Sequence, residues 1–134
     1  MTIFSKIIKG DIPSYKIAED QQFFAFLDIN PMQKGHTLVV PKLSEPEEDY
    51  IFRLDDQLLA DMMVFSKKVA NAIQQYTACK RVGVAVLGME VPHVHIHLVP
   101  LTKETDMNFA NPKLALSSEE MEQIAQGIRD YISL

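Results

Sequence analysis

Cysteine is nearly absent: Cys79 is the single one in 134 residues. An internal disulfide and a cysteine-built zinc cluster are thereby excluded, and the pattern agrees with a reducing compartment. No apolar run is long enough to span a bilayer. The opening Met1-Thr2-Ile3-Phe4-Ser5-Lys6 lacks the long apolar core and small-residue cleavage site of a secretory signal. A cytoplasmic protein with no membrane association is expected. There is also no dense basic stripe: Lys6, Lys9, Lys16, Lys42, Lys67, Lys68, Lys80 and Arg81 are scattered, and the formal net charge is -5. That argues against long nucleic acid as a partner. It leaves a small anionic ligand open, because a local site can oppose the global charge. No repeat, low-complexity tract or linker divides the chain, so a single domain over residues 1–134 is expected.

What is present is ordinary globular composition, 47% hydrophobic and 23% charged, with clear periodicities. Residues 3–8 have helical spacing and stop at Gly10 and Pro13. Tyr15 to Glu19 and Phe23 to Leu27 read as strands joined by a turn at Asp20. Asp28-Ile29-Asn30-Pro31 is a turn. Thr37 to Val40 reads as a buried strand stopped by Pro41, and Ser44 to Asp49 as a solvated loop. The longest helix is expected from Asp55 to Tyr76, capped by Asp55 or Asp56. Its inner face would be Leu58, Met62, Phe65, Val69, Ile73 and Tyr76, widened by Leu59, Met63 and Ala70. Val82 to Leu87 is a continuous apolar run, expected to be a strand covered on both sides. His95 to Pro100 is a further strand, and Leu101 to Leu116 an irregular polar stretch. Ser117 with Glu120 forms a capping box opening a last helix with Met121, Ile124, Ala125, Ile128 and Tyr131 or Ile132 inward. The fold class is α+β: an antiparallel meander with a long central helix and a C-terminal helix.

Four histidines occur, and all but His36 lie in His93-Val94-His95-Ile96-His97. On a strand, alternation would put the three rings on one face, roughly 6.5–7 Å apart, with Val94, Ile96 and Leu98 anchored on the other. Three imidazoles on one face suit metal ligation, or binding and attack of an anion. Two adjacent rings resist being charged together. A neutral ring beside a protonated one suits phosphoryl or nucleotidyl transfer, one attacking phosphorus and the other handling charge.

The run with its continuation Leu98-Val99 resembles the histidine triad (HIT) family pattern, His-φ-His-φ-His-φ-φ, where φ is apolar. The stretches Phe26-Leu27-Asp28-Ile29-Asn30-Pro31, Gly35-His36-Thr37-Leu38-Val39-Val40-Pro41-Lys42 and residues 3–13 are similar to the same family, its Hint-like branch above all. The resemblance implies a HIT-like fold that pairs into a homodimer through a continuous sheet. It implies a nucleotide hydrolase or transferase forming a nucleotidyl-histidine intermediate, with a small-molecule nucleotide as partner and neither cofactor nor metal. Carried over by position, His95 would be the nucleophile, His97 would contact the phosphate and His36 would support the nucleophile. His93, the remaining member of the catalytic set, would mostly order the run. Asp28 would hold the ribose hydroxyls, and Phe4, Ile7, Phe26, Leu27 and Ile29 would line the base pocket. Where the family usually has Gly-Gln-Ser/Thr, this chain has Gly88-Met89-Glu90. Met89 cannot donate a hydrogen bond, and a carboxylate near a phosphate is repulsive. Altered phosphate handling, or a nucleotide-binding module with weak turnover, is therefore the alternative expectation. A metal-dependent hydrolase built on the histidines is a third. A homodimer is also expected from apolar surface on Val82–Leu87 and on the Asp55–Tyr76 helix, which a small domain does not cover alone.

Overall fold

The computed structural model describes residues 1–134. Three helices, α1 (Ile3–Lys9), α2 (Asp56–Thr77) and α3 (Ser118–Arg129), accompany five strands: β1 (Lys16–Glu19), β2 (Phe23–Leu27), β3 (Thr37–Pro41), β4 (Arg81–Ala85) and β5 (Ile96–Leu101). The strands form one antiparallel sheet in the order β1-β2-β3-β5-β4. The first three run as a meander. The chain then crosses through α2 to the far edge and returns, so β5 lies between β3 and β4. The α+β class and the antiparallel sheet match the sequence expectation.

Local chemistry accounts for the elements. The β1–β2 turn is held by the Asp20 carboxylate, whose Oδ1 accepts from the Gln22 and Phe23 amides at 2.8 Å each. Asp55 caps α2 by accepting from the Leu58 amide at 2.8 Å. That helix ends at Ala78, in left-handed conformation with φ 54°, whose N–H returns to the Gln74 carbonyl. Ser117 caps α3 from the Glu120 amide. The carboxylate of Glu120 pairs with Lys34 Nζ at 2.6 Å.

The sheet has two differently covered faces. Ile17, Phe23, Ala25, Leu27, Val39, Ile96 and Leu98 pack with the inner faces of α2 and α3 into the main core. Strand alternation sends Phe24, Phe26, Leu38 and Val40 to the opposite face, where Phe4 and Ile7 of α1 cover them. Each such aromatic or aliphatic side chain contributes about 1.5–3 kcal/mol when fully buried. This second face is only partly roofed, because α1 is a seven-residue helix.

Several expectations are corrected. The Val82–Leu87 run is not covered on both sides: the strand spans Arg81–Ala85 and is the sheet edge, paired only with β5. Val84 and Leu87 are each 50% exposed. Met63 and Tyr76 are exposed rather than part of the inner face of α2. Of the two alternatives expected after α3, Ile132 is the one that packs against the core, and Tyr131 is exposed. The stretch after β5 is partly regular, since residues Glu104–Met107 form a 3-10 turn whose Asp106 accepts from the Thr102 and Lys103 amides. No helix is long and apolar enough to cross a membrane.

Candidate active site

Register on the second face sets the site. His97 lies opposite Leu38 across the β3–β5 ladder, and Leu38 lies opposite Phe26. Paired residues share a face, so His97 looks toward the partly roofed side. Paired strand begins only at Ile96, leaving His93 to His95 in the approach to it. Val94, Ile96 and Leu98 are buried in the main core as expected, at 1%, 0% and 0% exposure.

The three rings lie on the α1 side as expected, His93 and His95 both edge-on to Phe4, but they do not share one cavity, which corrects that part of the expectation. His95 and His97 line a cavity of about 450 Å³ with His36, and His93 does not. His93 is fully buried, its Nε2 2.9 Å from the Pro41 carbonyl and its Nδ1 2.7 Å from the Thr2 hydroxyl. A carbonyl only accepts, so Nε2 carries the proton and Nδ1 accepts from Thr2. Burial holds this ring below the usual histidine range.

The same reasoning fixes the other rings. His95 Nδ1 is 2.7 Å from the His93 carbonyl, so Nδ1 carries a proton, and in the neutral ring Nε2 is the nitrogen left with a lone pair. Phe4 sits edge-on to the ring at 5.0 Å, and the His97 ring at 5.1 Å. His36 Nδ1 accepts from the Met32 amide at 3.1 Å. Its proton is therefore on Nε2, which reaches His97 Nδ1 at 2.9 Å. His97 in turn keeps its proton on Nε2. Burial, then the neighbouring His97, then Lys113 push His36 down to about 3. Burial, then His95, then Lys113 push His97 down to about 4. Both rings are neutral at pH 7, as expected for imidazoles crowded together.

Asp28 combines a turn role with a cavity role. Oδ1 accepts from the Asn30 amide at 2.8 Å, and Oδ2 is 3.6 Å from His36 Nε2. Burial raises its carboxyl above the usual range. One donor atom each from Asp28, His36 and His97 lie within 4.8 Å of one another. As a metal shell the set is poor, because the Met32 amide occupies His36 Nδ1 and leaves a proton on the nitrogen that faces the others. Its geometry fits a relay of hydrogen bonds better.

Phe4, Ile7, Phe26, Ile29, Gly88, Met89 and Glu90 all line the cavity. Leu27 does not: it is 1% exposed within the main core, because alternation turns it away from Phe26. Gly88 has φ +71°, and a Cβ there would lie 3.1 Å from the Asp49 carbonyl. Met89 is 86% exposed at the rim. Two lining residues had no sequence signal. Phe109 stands edge-on to His97 at 4.9 Å, and Lys113 donates to the Phe109 carbonyl at 2.7 Å. Both come from the stretch read as irregular. It folds back over the site through the Leu114 amide, bonded to the Pro31 carbonyl at 2.8 Å.

Comparison with known proteins identifies the family. Residues 9–104 match the model of the HIT domain. The chain is 37% identical over 133 residues to an adenosine 5'-monophosphoramidase of Schizosaccharomyces pombe, covering 97% of each. It is 34% identical to an uncharacterized HIT-like protein of Borreliella burgdorferi, covering 94% of each. A crystal structure of a Hit-like protein from Bartonella henselae superposes with a TM-score of 0.81 at 28% identity, over 98% of this chain and 96% of that one.

Proposed function

The chain belongs to the HIT domain family, and we propose that it is a nucleotide hydrolase or transferase working through a covalent nucleotide on His95. The observation that carries this reading is the contact of His95 Nδ1 with the His93 carbonyl, which in the neutral ring leaves Nε2 as the free nitrogen of a cavity-lining histidine. An activated nucleophile needs such an oriented, unprotonated nitrogen. The similarity to an adenosine 5'-monophosphoramidase supports a nucleoside monophosphate as the transferred group.

In this account Phe4, Ile7, Phe26 and Ile29 hold the base, and the Asp28 carboxylate accepts from the ribose hydroxyls. His95 Nε2 attacks phosphorus, a nitrogen–phosphorus bond forms, and the bond to the leaving group breaks with its electron pair, taken up with a proton from solvent. The imidazolium so formed keeps its Nδ1 proton on the His93 carbonyl, which offsets the charge. His97 donates from Nε2 to a phosphate oxygen, with His36 and the Met32 amide fixing its tautomer. Water then attacks phosphorus, the nitrogen–phosphorus bond breaks, and the nucleoside monophosphate leaves. No metal or cofactor takes part. His93 orders the run through Pro41 and Thr2 rather than touching substrate. The exposed edge of β4 pairs with a second copy to make a homodimer.

Met89 and Glu90 favour a second reading, a nucleotide-binding module with weak turnover, because neither donates to a phosphate. Turnover of a nucleoside 5'-phosphoramidate by the protein and by His95→Ala separates the two. Hydrolysis abolished by the substitution supports the enzyme. Equal nucleotide binding by both, with turnover by neither, establishes the binding module.

A further inference from the structure

The cavity lining holds two carboxylates, Asp28 and Glu90, and one cationic side chain, Lys113. A nucleotide brings a phosphate into this acidic surrounding, and His36 and His97 lend it no positive charge at pH 7. Something must balance that anion. Lys113 is placed to do so. The Leu114 amide pins the segment to Pro31, beside the turn that carries Asp28. The Lys113 ammonium donates to the carbonyls of Phe109 at 2.7 Å and Asn111 at 3.3 Å. An ammonium has three donors, so one stays free. Its charge is felt inside the cavity, where it lowers His36 and His97 and opposes the raised carboxyl of Asp28.

We propose that Lys113 is the phosphate anchor of this site, contacting non-bridging oxygens of the bound nucleotide in place of the donors that Met89 and Glu90 do not supply. The proposal rests on the nucleotide reading above and makes the site selective for nucleotides over nucleosides. A charge-assisted bond at a solvated mouth is worth about tenfold in affinity. The salt sensitivity of the interaction follows from the same exposure.

The test is calorimetric titration of the intact protein, Lys113→Gln and Lys113→Arg with adenosine 5'-monophosphate and with adenosine. Lys113→Gln should weaken the monophosphate about tenfold and leave adenosine unchanged, while Lys113→Arg stays within about threefold of the parent. The parent's affinity for the monophosphate should fall between about 50 and about 300 mM salt, more steeply than that of Lys113→Gln. Equal binding of the monophosphate by parent and Lys113→Gln would overturn the proposal. So would equal losses for both ligands, which would mark a loop-ordering role. If the parent binds neither ligand, the nucleotide reading falls, and the anchor with it.

Discussion

Lowering the pH from 7 to 5 loads the unfolded chain with protons that the folded site refuses. His36 and His97 titrate near 6.5 when unfolded, but at about 3 and about 4 in the folded protein. A depressed folded pKa means that stability is present above the unfolded value and is lost as pH falls toward the folded one. The window therefore opens near pH 6.5 and closes between about 4 and about 3. At pH 5 both folded rings are still neutral while both unfolded ones are almost fully charged. Each histidine then costs roughly 2 kcal/mol relative to pH 7, or roughly 4 kcal/mol together. This figure barely depends on how far below 5 the folded values lie. His93, held low by burial, adds in the same direction. Asp28 works the other way: its raised carboxyl is penalised when ionised, so acidification relieves part of its cost. With an m-value of about 2 kcal/mol per molar urea, the unfolding midpoint should drop by about 2 M between pH 7 and 5. His36→Gln removes one titration and should lose roughly half of that pH dependence, whatever its own stability. A midpoint indifferent to pH over this range, or an unchanged slope in His36→Gln, would refute the assignment of neutral, buried rings.

Asp28→Asn should weaken a ribonucleotide by about tenfold and its 2'-deoxy counterpart by less, read by competitive inhibition, because the acceptor for the ribose hydroxyls is lost. Equal losses would remove Asp28 from the ribose. Thr2→Val strips the donor from Nδ1 of the buried His93 and should cost about 1–3 kcal/mol of stability in urea. It should also lower kcat more than it raises KM, since His93 supplies the carbonyl that orients His95. Val84→Lys puts charge on the exposed β4 edge and should give monomers in analytical ultracentrifugation, whereas the parent sediments as a dimer. A parent that is monomeric at micromolar concentration would contradict the pairing.

Much of this architecture was readable from the chain because most elements carry one dominant period. The helices α2 and α3 show near-heptad apolar stripes and explicit caps at Asp55 and Ser117. Strands β2, β3 and β5 are short, mostly apolar runs bounded by turn residues, and β1 carries the apolar pair Ile17-Ala18 between Lys16 and Glu19. The failures have definite causes. A continuous apolar run reads the same in a central strand and at an edge, so β4 gave no sign of its single neighbour. Alternation alone separates Leu27 from Phe26, and taking both into one pocket set a family pattern above that geometry. The three histidines were read as sharing one cavity, whereas pairing starts at Ile96 and contacts with the Pro41 carbonyl and Thr2 hold the first ring outside it. Phe109 and Lys113 reach the site by a tertiary return of the chain, which no local pattern encodes. The proton positions on the rings depend on partners as distant in sequence as Met32, Pro41 and Thr2. They became legible only with the fold.

Bond formation between His95 Nε2 and phosphorus is the step on which the proposed turnover depends. Its most direct test is rapid mixing with a nucleoside 5'-phosphoramidate, quenching in base to preserve the acid-labile nitrogen–phosphorus bond, and peptide mass spectrometry. One nucleoside monophosphoryl group should be found on His95 within the first turnover, and none on His95→Asn. Hydrolysis proceeding at full rate with no adduct on the protein, or with an unmodified and active His95→Asn variant, would contradict it.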